Sequence, residues 1–294
     1  MTLPKRVLIT GTSSGIGRTT AQTLASQGHT VFATMRQVET KNAPAAEDLR
    51  NWAAQEGVKL QVVELDVTNQ NSIQTAVQQV VDTAGGIDVL INNAGWGIFG
   101  LAEAFTVDQC QRLFETNVFG PMRVVQAVLP HMRRQQQGLL VYLSSTAATI
   151  PYPFMGVYGA SKAALEGIAL TFNSELYSLG IDTVIIQAGS HRTDFGTRVE
   201  TSAREGIHEA YGPIGHASNA LIESLPTYFT SEWLSSAESL SDQIASYINL
   251  PAGERPLKVG LGVGTEGFED LNQGLIALQR QAIELAGFGQ FISR

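Results

Sequence analysis

The 294-residue chain has a single cysteine, Cys110, which excludes an intrachain disulfide and fits a reducing compartment. Cys110 lies in a stretch of helical period, where packing rather than nucleophilic chemistry is expected. No apolar run approaches the roughly 18–20 residues that span a bilayer. The first such run, Val7 to Ile9, starts too early to leave room for a signal peptide, so the expectation is a soluble, cytoplasmic protein. Cations are sparse: 19 Lys and Arg stand against 27 Asp and Glu, a net charge of -8, and the longest basic run is Arg133-Arg134. Nucleic acid binding needs clustered cations, which excludes it as the main activity. The five histidines are scattered and none pairs at metal-ligand spacing, so no metal site is expected. What remains is an ordinary globular composition, 44% hydrophobic and 16% charged, on a chain long enough for a sizeable core.

Short Val-, Ile- and Leu-rich runs alternate with longer segments of helical period. The strand candidates are Arg6–Thr10, Thr30–Thr34, Leu60–Leu65, Val89–Asn92, Leu139–Ser144, Asp182–Gln187 and Leu257–Leu261. Most lack polar alternation, as expected of strands buried on both faces. Helical segments between them include Ile16–Gln27, Ser72–Ala84, Val107–Arg134 and Val157–Ser178. This order predicts an α/β fold, a doubly wound, mostly parallel seven-stranded sheet with helices on both faces. No linker or low-complexity tract divides residues 1–294, so one domain is expected. The stretch from about 190 to 237, rich in glycine and aromatics, breaks the alternation and is expected to be a substrate-binding lid.

Three local patterns carry chemistry. Gly11-Thr12-Ser13-Ser14-Gly15-Ile16-Gly17 follows the first strand and opens a helix, the arrangement in which a backbone approaches a pyrophosphate and a helix N-terminus receives it. At the end of the second strand, where NAD binders carry an acidic residue for the ribose 2′-OH, Met35 and Arg36 stand instead. A guanidinium suits a 2′-phosphate, which predicts NADP(H) over NAD(H). Asp66, followed by Val67, closes the third strand; it either reaches the adenine end or signals the next helix. Finally, Tyr158 and Lys162 share one helix face. An isolated Tyr-x-x-x-Lys is usually a surface pair. Beside a cofactor site, however, a cation that lowers a phenol pKa from ~10 by about 1–3 units makes a usable general acid/base.

Together these motifs resemble the short-chain dehydrogenase/reductase family, in its single-domain group, from about Arg6 to Gly189. Asn92-Asn93-Ala94-Gly95 is similar to the family element that steadies the sheet and lines the adenosine ribose, and Asn117, Ser145, Tyr158 and Lys162 match its catalytic tetrad, with Ser144 the alternative serine. The resemblance implies a Rossmann-type domain in which Tyr158 is the general acid/base, Ser145 orients the substrate oxygen, and Lys162 tunes Tyr158 and holds the nicotinamide ribose. It also implies cofactor contacts from Ala188, Gly189 and Thr193, and a homodimer or homotetramer paired through the helices of Asn117 and Tyr158, with Val124, Val128, Leu165 and Leu170 as candidate apolar positions. Pro121 has no N–H for the Asn117 carbonyl, which would then be free to hold a relay water.

One departure is Ala188-Gly189 where the family usually has Pro-Gly, a change expected to loosen the following segment. His191 there either touches substrate or is an ordinary loop residue. Asn93 to Gly100 and Ala163 to Gly167 look most like the hydroxysteroid and retinol dehydrogenase branch. Trp96, Phe99 and the Pro151–Met155 segment are expected to border a largely apolar pocket for a small-molecule substrate. Two rival functions are a catalytically silent NADP(H) sensor or scaffold, and a reductase of a carrier-bound acyl chain using Arg192, Arg198 and Arg204. An intact Ser145, Tyr158 and Lys162 argues against the first.

Overall fold

The computed structural model describes residues 3–291. Seven strands form one parallel sheet: β1 (Arg6–Thr10), β2 (Thr30–Met35), β3 (Leu60–Glu64), β4 (Val89–Asn92), β5 (Gly138–Ser145), β6 (Ile181–Ala188) and β7 (Lys258–Leu261). Their spatial order is β7-β6-β5-β4-β1-β2-β3. The order reverses between β1 and β4, whose Val7 and Val89 stand in register. In open sheets of this type ligands bind at that reversal, outside the carboxyl ends of the strands. The expected doubly wound fold is observed, with every predicted strand placed to within a residue of its ends.

Neighbouring strand residues feed opposite layers, which explains the uninterrupted apolar runs. Val7 and Ile9 pack with Leu24 of α1 (Gly15–Ser26), Leu49 of α2 (Ala43–Glu56) and Ile244 of a later helix. Leu8 between them faces the other layer. That layer holds Ile73 of α3 (Gln70–Ala84), Val124 and Val128 of α5 (Gly120–Gln135), and Leu165 of α6 (Gly156–Leu176). Val124, Val128 and Leu165 are thus in the chain's own core, and Leu170 packs against it. Val124, Val128 and Leu165 therefore present no outward surface of their own, while Leu170 is half-buried.

The helical segment predicted from Val107 to Arg134 is interrupted. Helix α4 (Val107–Phe114) passes into a wider π-type turn over Glu115–Phe119 before α5 begins. Pro121 has no N–H to donate to the Asn117 carbonyl, and the Gly120 N–H reaches back to the Glu115 carbonyl in an i+5 bond. This wider turn carries Asn117. After β6 come a short helix α7 (Ile207–Ala210), α8 (Pro213–Tyr228), α9 (Ala237–Asn249) and, beyond β7, α10 (Phe268–Leu285). No helix among the described residues is long and apolar enough to cross a membrane.

Candidate active site

The turn from β1 into α1 is fastened to its neighbours by backbone. Gly11 has φ +74, and a Cβ there would lie 2.7 Å from the Ala94 Cα. On Gly17 a Cβ would overlap the Asn93 amide and the Gly11 carbonyl. Asn93 Nδ2 donates to the carbonyls of Thr10 (2.8 Å) and Gly11 (2.9 Å), while the Asn93 and Ala94 N–H groups donate to Thr10 Oγ1. Thr12 donates from both N and Oγ1 to the Thr34 carbonyl. Ser13, Ser14 and Ile16 are half-buried along the turn.

Ser14 precedes α1 but does not cap it. Its Oγ instead approaches Asp194 Oδ1 at 3.4 Å, and a Cβ on Gly15 would stand 3.4 Å from the same oxygen. A carboxylate therefore lies at the helix N-terminus, where the first N–H groups and the dipole favour an anion. The cradle fits the pyrophosphate of a dinucleotide, with Asp194 on its rim. Arg36, at the end of β2, is exposed and makes no ion pair among the described residues. Asp66 Oδ1 accepts from Thr68 N (2.9 Å) and Oγ1 (2.7 Å), shaping the turn before α3, whose cap is Asn69. Val67 is buried against Gly120.

The reaction side is made from buried side chains. Ser145 ends β5; its Oγ accepts from the Ala147 N–H at 3.2 Å, and its hydroxyl hydrogen-bonds the Tyr158 phenol. Tyr158 and Lys162 lie one turn apart on α6, 7% and 6% exposed. Lys162 Nζ donates to the Leu143 carbonyl at 2.8 Å and stands 6.0 Å from the centre of the Tyr158 ring. Asn117 Oδ1 accepts from the Trp96 N–H, and its Nδ2 donates to the Trp96 carbonyl and to Ser161 Oγ. It pins the turn after β4, including Gly95, to α6.

Burial dominates the protonation of this pair. It pushes the Tyr158 phenol up to about 12, with the Ser145 hydrogen bond opposing. It also lowers the Lys162 ammonium to about 8, with Glu166 opposing. Lys162 donates to the Leu143 carbonyl, and burial sets the direction of the Tyr158 phenol.

The segment after β6 closes over this face. Ala188 stays in register with Ser145 and Leu261, and the Gly189 N–H donates to the Leu261 carbonyl at 2.8 Å. The Thr193 N–H donates to the Phe229 carbonyl, and its Oγ1 accepts from the Phe195 N–H. His191 is buried against Gly262, with Nδ1 3.0 Å from the Gly189 carbonyl, and burial lowers its pKa. It is a packing residue. Arg198 pairs with Asp194 (2.6 Å), Arg204 donates to the Glu103 carbonyl, and Arg192 is exposed.

Aromatic rings cover Tyr158. Phe99 and Phe195 lie 5.9 and 6.0 Å from it, centre to centre, and Phe229 lies 5.4 Å beyond Phe195. Tyr228 continues the file to the exposed Trp233. Trp96 packs instead with Ile98, Phe105 and Leu113, away from this file. The sequence reading counted Phe195 only among the segment's aromatics and gave Asp194 no role. Their adjacency to Thr193 was the available signal.

A dinucleotide cradle and a buried Ser-Tyr-Lys face on opposite sides of one sheet reversal define a nicotinamide-binding α/β enzyme. The family model described as short chain dehydrogenase matches residues 5–204, and the chain belongs to that family. It is 36% identical over 220 residues to a 3-ketodihydrosphingosine reductase of Bacteroides thetaiotaomicron, covering 75% of this chain and 76% of that protein. Against human 17-beta-hydroxysteroid dehydrogenase type 1 it is 35% identical over 229 residues, 74% of this chain and 69% of that one. A solved short-chain dehydrogenase from Streptomyces avermitilis superposes with a TM-score of 0.77 at 27% identity, covering 98% and 99% of the two chains. The protein is an oxidoreductase acting on CH–OH or C=O groups, and its fold binds nicotinamide cofactors.

Proposed function

We propose that this chain is an NADP(H)-dependent reductase or dehydrogenase that interconverts a carbonyl and an alcohol on a small, largely apolar substrate. The observation that carries this is the convergence of Ser145, Tyr158 and Lys162 beneath Phe99 and Phe195. A nicotinamide held beside Lys162, Ala188, Gly189 and Thr193 would supply or accept the hydride. Ser145 donates a hydrogen bond to the substrate oxygen and orients it. Tyr158 transfers the proton to or from that oxygen; a phenol near 12 is held protonated, which suits reduction. Lys162, still largely charged at neutral pH, stabilises the phenolate left behind and holds the nicotinamide ribose. Asn117 keeps the β4 turn and α6 in place around them, and its carbonyl beside Pro121 remains the candidate anchor for a relay water.

On the cofactor side, the α1 N-terminus receives the pyrophosphate, and Asn93, Ala94 and Gly95 border the adenosine ribose. Asp66 and Val67 border the adenine, and Ala188, Gly189 and Thr193 flank the nicotinamide. Arg36, exposed and without an ion-pair partner, grips the 2′-phosphate. The 190–237 segment acts as the lid of the single domain, and the protein acts in the cytoplasm as a homodimer or homotetramer. The apolar substrate class is supported by the aromatic file and by the lipid and steroid named for the two relatives. The test is consumption of NADPH and NADH, in parallel, against apolar ketones, aldehydes and quinones. Turnover favouring NADPH is the expected result. Preference for NADH would remove the role given to Arg36, and tight NADPH binding without turnover on any member would favour the sensor reading.

A further inference from the structure

Three consecutive residues at the end of β5 meet three residues of α6 spaced one turn apart. The Leu143 carbonyl accepts from Lys162, Ser144 Oγ donates to Glu166 Oε1 at 2.6 Å, and Ser145 bonds Tyr158. The proposed reaction uses the first and third links and leaves the middle one without a role. Glu166 is 5% exposed, and its second oxygen pairs with Lys258 Nζ of β7 at 2.7 Å. Lys258 is buried as well. A buried ion pair costs desolvation that well-packed apolar residues would avoid, so stability alone does not account for it.

Its location does. Glu166 lies four residues beyond Lys162, one turn along the same helix face. The Lys162 ammonium donates to the Leu143 carbonyl of β5, lies 6.0 Å from the centre of the Tyr158 ring, and borders Gly95 of the β4 turn together with Asn117 Oδ1; Glu166 is the charged group one turn further along α6. Among them Glu166 carries the negative charge, and Lys258 lies on its far oxygen. We propose that Glu166, held by Ser144 and partly neutralised by Lys258, is a positioning residue that keeps Lys162 charged where the Leu143 carbonyl holds it. Glu166 opposes the lowering that burial imposes on Lys162, in keeping with this role.

The role rests on the reading of Tyr158 and Lys162 as the reacting pair, so the test reads Lys162 without requiring turnover. The chain has five lysines, Lys5, Lys41, Lys59, Lys162 and Lys258. In the full-length protein labelled with 13C at lysine Cε, NMR titration gives each midpoint, with Lys162 assigned by its loss in Lys162→Arg. Glu166→Gln is expected to lower the Lys162 midpoint by about one pH unit. Because that change leaves Lys258 buried without its partner, Glu166→Gln/Lys258→Met removes both charges and protects the fold. The midpoint is expected to fall there too, by less.

A Lys162 midpoint unchanged in the folded double variant would overturn the proposal. A midpoint that moves while the alkaline limb of turnover stays in place would count against Lys162 as the partner of Tyr158 and not against its coupling to Glu166. Absence of turnover in the wild-type protein, with the midpoint still shifted by Glu166→Gln, would instead count against the reductase reading and leave the coupling of Glu166 to Lys162 standing.

Discussion

The cofactor side and the reaction side of the cleft are built from the same unit, a strand that turns into a helix, but they recruit different parts of the chain. At β1 and α1 the work falls to backbone: Gly11 and Gly17 allow close approach, Asn93 binds main-chain carbonyls, and α1 presents uncapped N–H groups. The side chain expected to choose the cofactor, Arg36, is out in solvent. At β5 and α6 the work falls to side chains that have left water. Ser145, Tyr158, Lys162 and Glu166 are all buried, and burial is the leading influence on the phenol and the ammonium. Changes on the first side should therefore alter affinity, with screening by salt. Changes on the second should alter rate and its pH dependence.

Tyr158→Phe sharpens that contrast most. It should cost about 10²–10⁴-fold in turnover, as loss of a positioned acid does, while cofactor affinity measured by fluorescence titration stays within a few-fold. Comparable losses in both would break the division between the two sides. Arg36→Ala comes next: NADPH binding should weaken about tenfold or more, as loss of charge-assisted bonds predicts, with NADH binding unchanged. Equal weakening for both cofactors in isothermal titration would show that Arg36 does not read the 2′-phosphate. The smallest effect is expected at Asp194, whose carboxylate competes with phosphate at the α1 N-terminus. Asp194→Asn should tighten either cofactor by about two- to fivefold at low salt, and the gain should shrink as salt is added. Weaker binding would mean that Asp194 and its Arg198 partner support the cradle rather than obstruct it.

Much of this was legible in the sequence, for physical reasons that can be named. The strands are buried on both faces, so their apolar runs stop where the strands stop, as at Arg6–Thr10 and Val89–Asn92. The Gly-rich turn and the Tyr158–Lys162 spacing are local patterns, and each falls on the element expected. What escaped notice depends on distant partners. The break near Asn117 shows as an i+5 bond from the Gly120 N–H to the Glu115 carbonyl, beside the bond to the Asn117 carbonyl that Pro121 cannot make. The burial of Val124 and Leu165 depended on which helix face meets the sheet, which apolar spacing alone does not specify. Lys258 meets Glu166 only because β7 lies beside β6, more than ninety residues away in sequence from Glu166. The depth at which Tyr158 is buried, which pushes its phenol up, likewise depends on Phe99 and Phe195, distant from it in sequence.

Protonation of the buried Tyr158–Lys162 pair is the central requirement, and the pH dependence of kcat/KM for carbonyl reduction tests it. That quantity reports groups of the free enzyme. Lys162 should lose its proton as pH rises through about 8, whereas Tyr158 keeps its own until about 12. Measured from roughly pH 6 to 10, kcat/KM should be level below about 8 and then fall about tenfold per unit. A rate that stays level, or climbs, across that range would contradict the account: Lys162 would not be the charged partner of Tyr158.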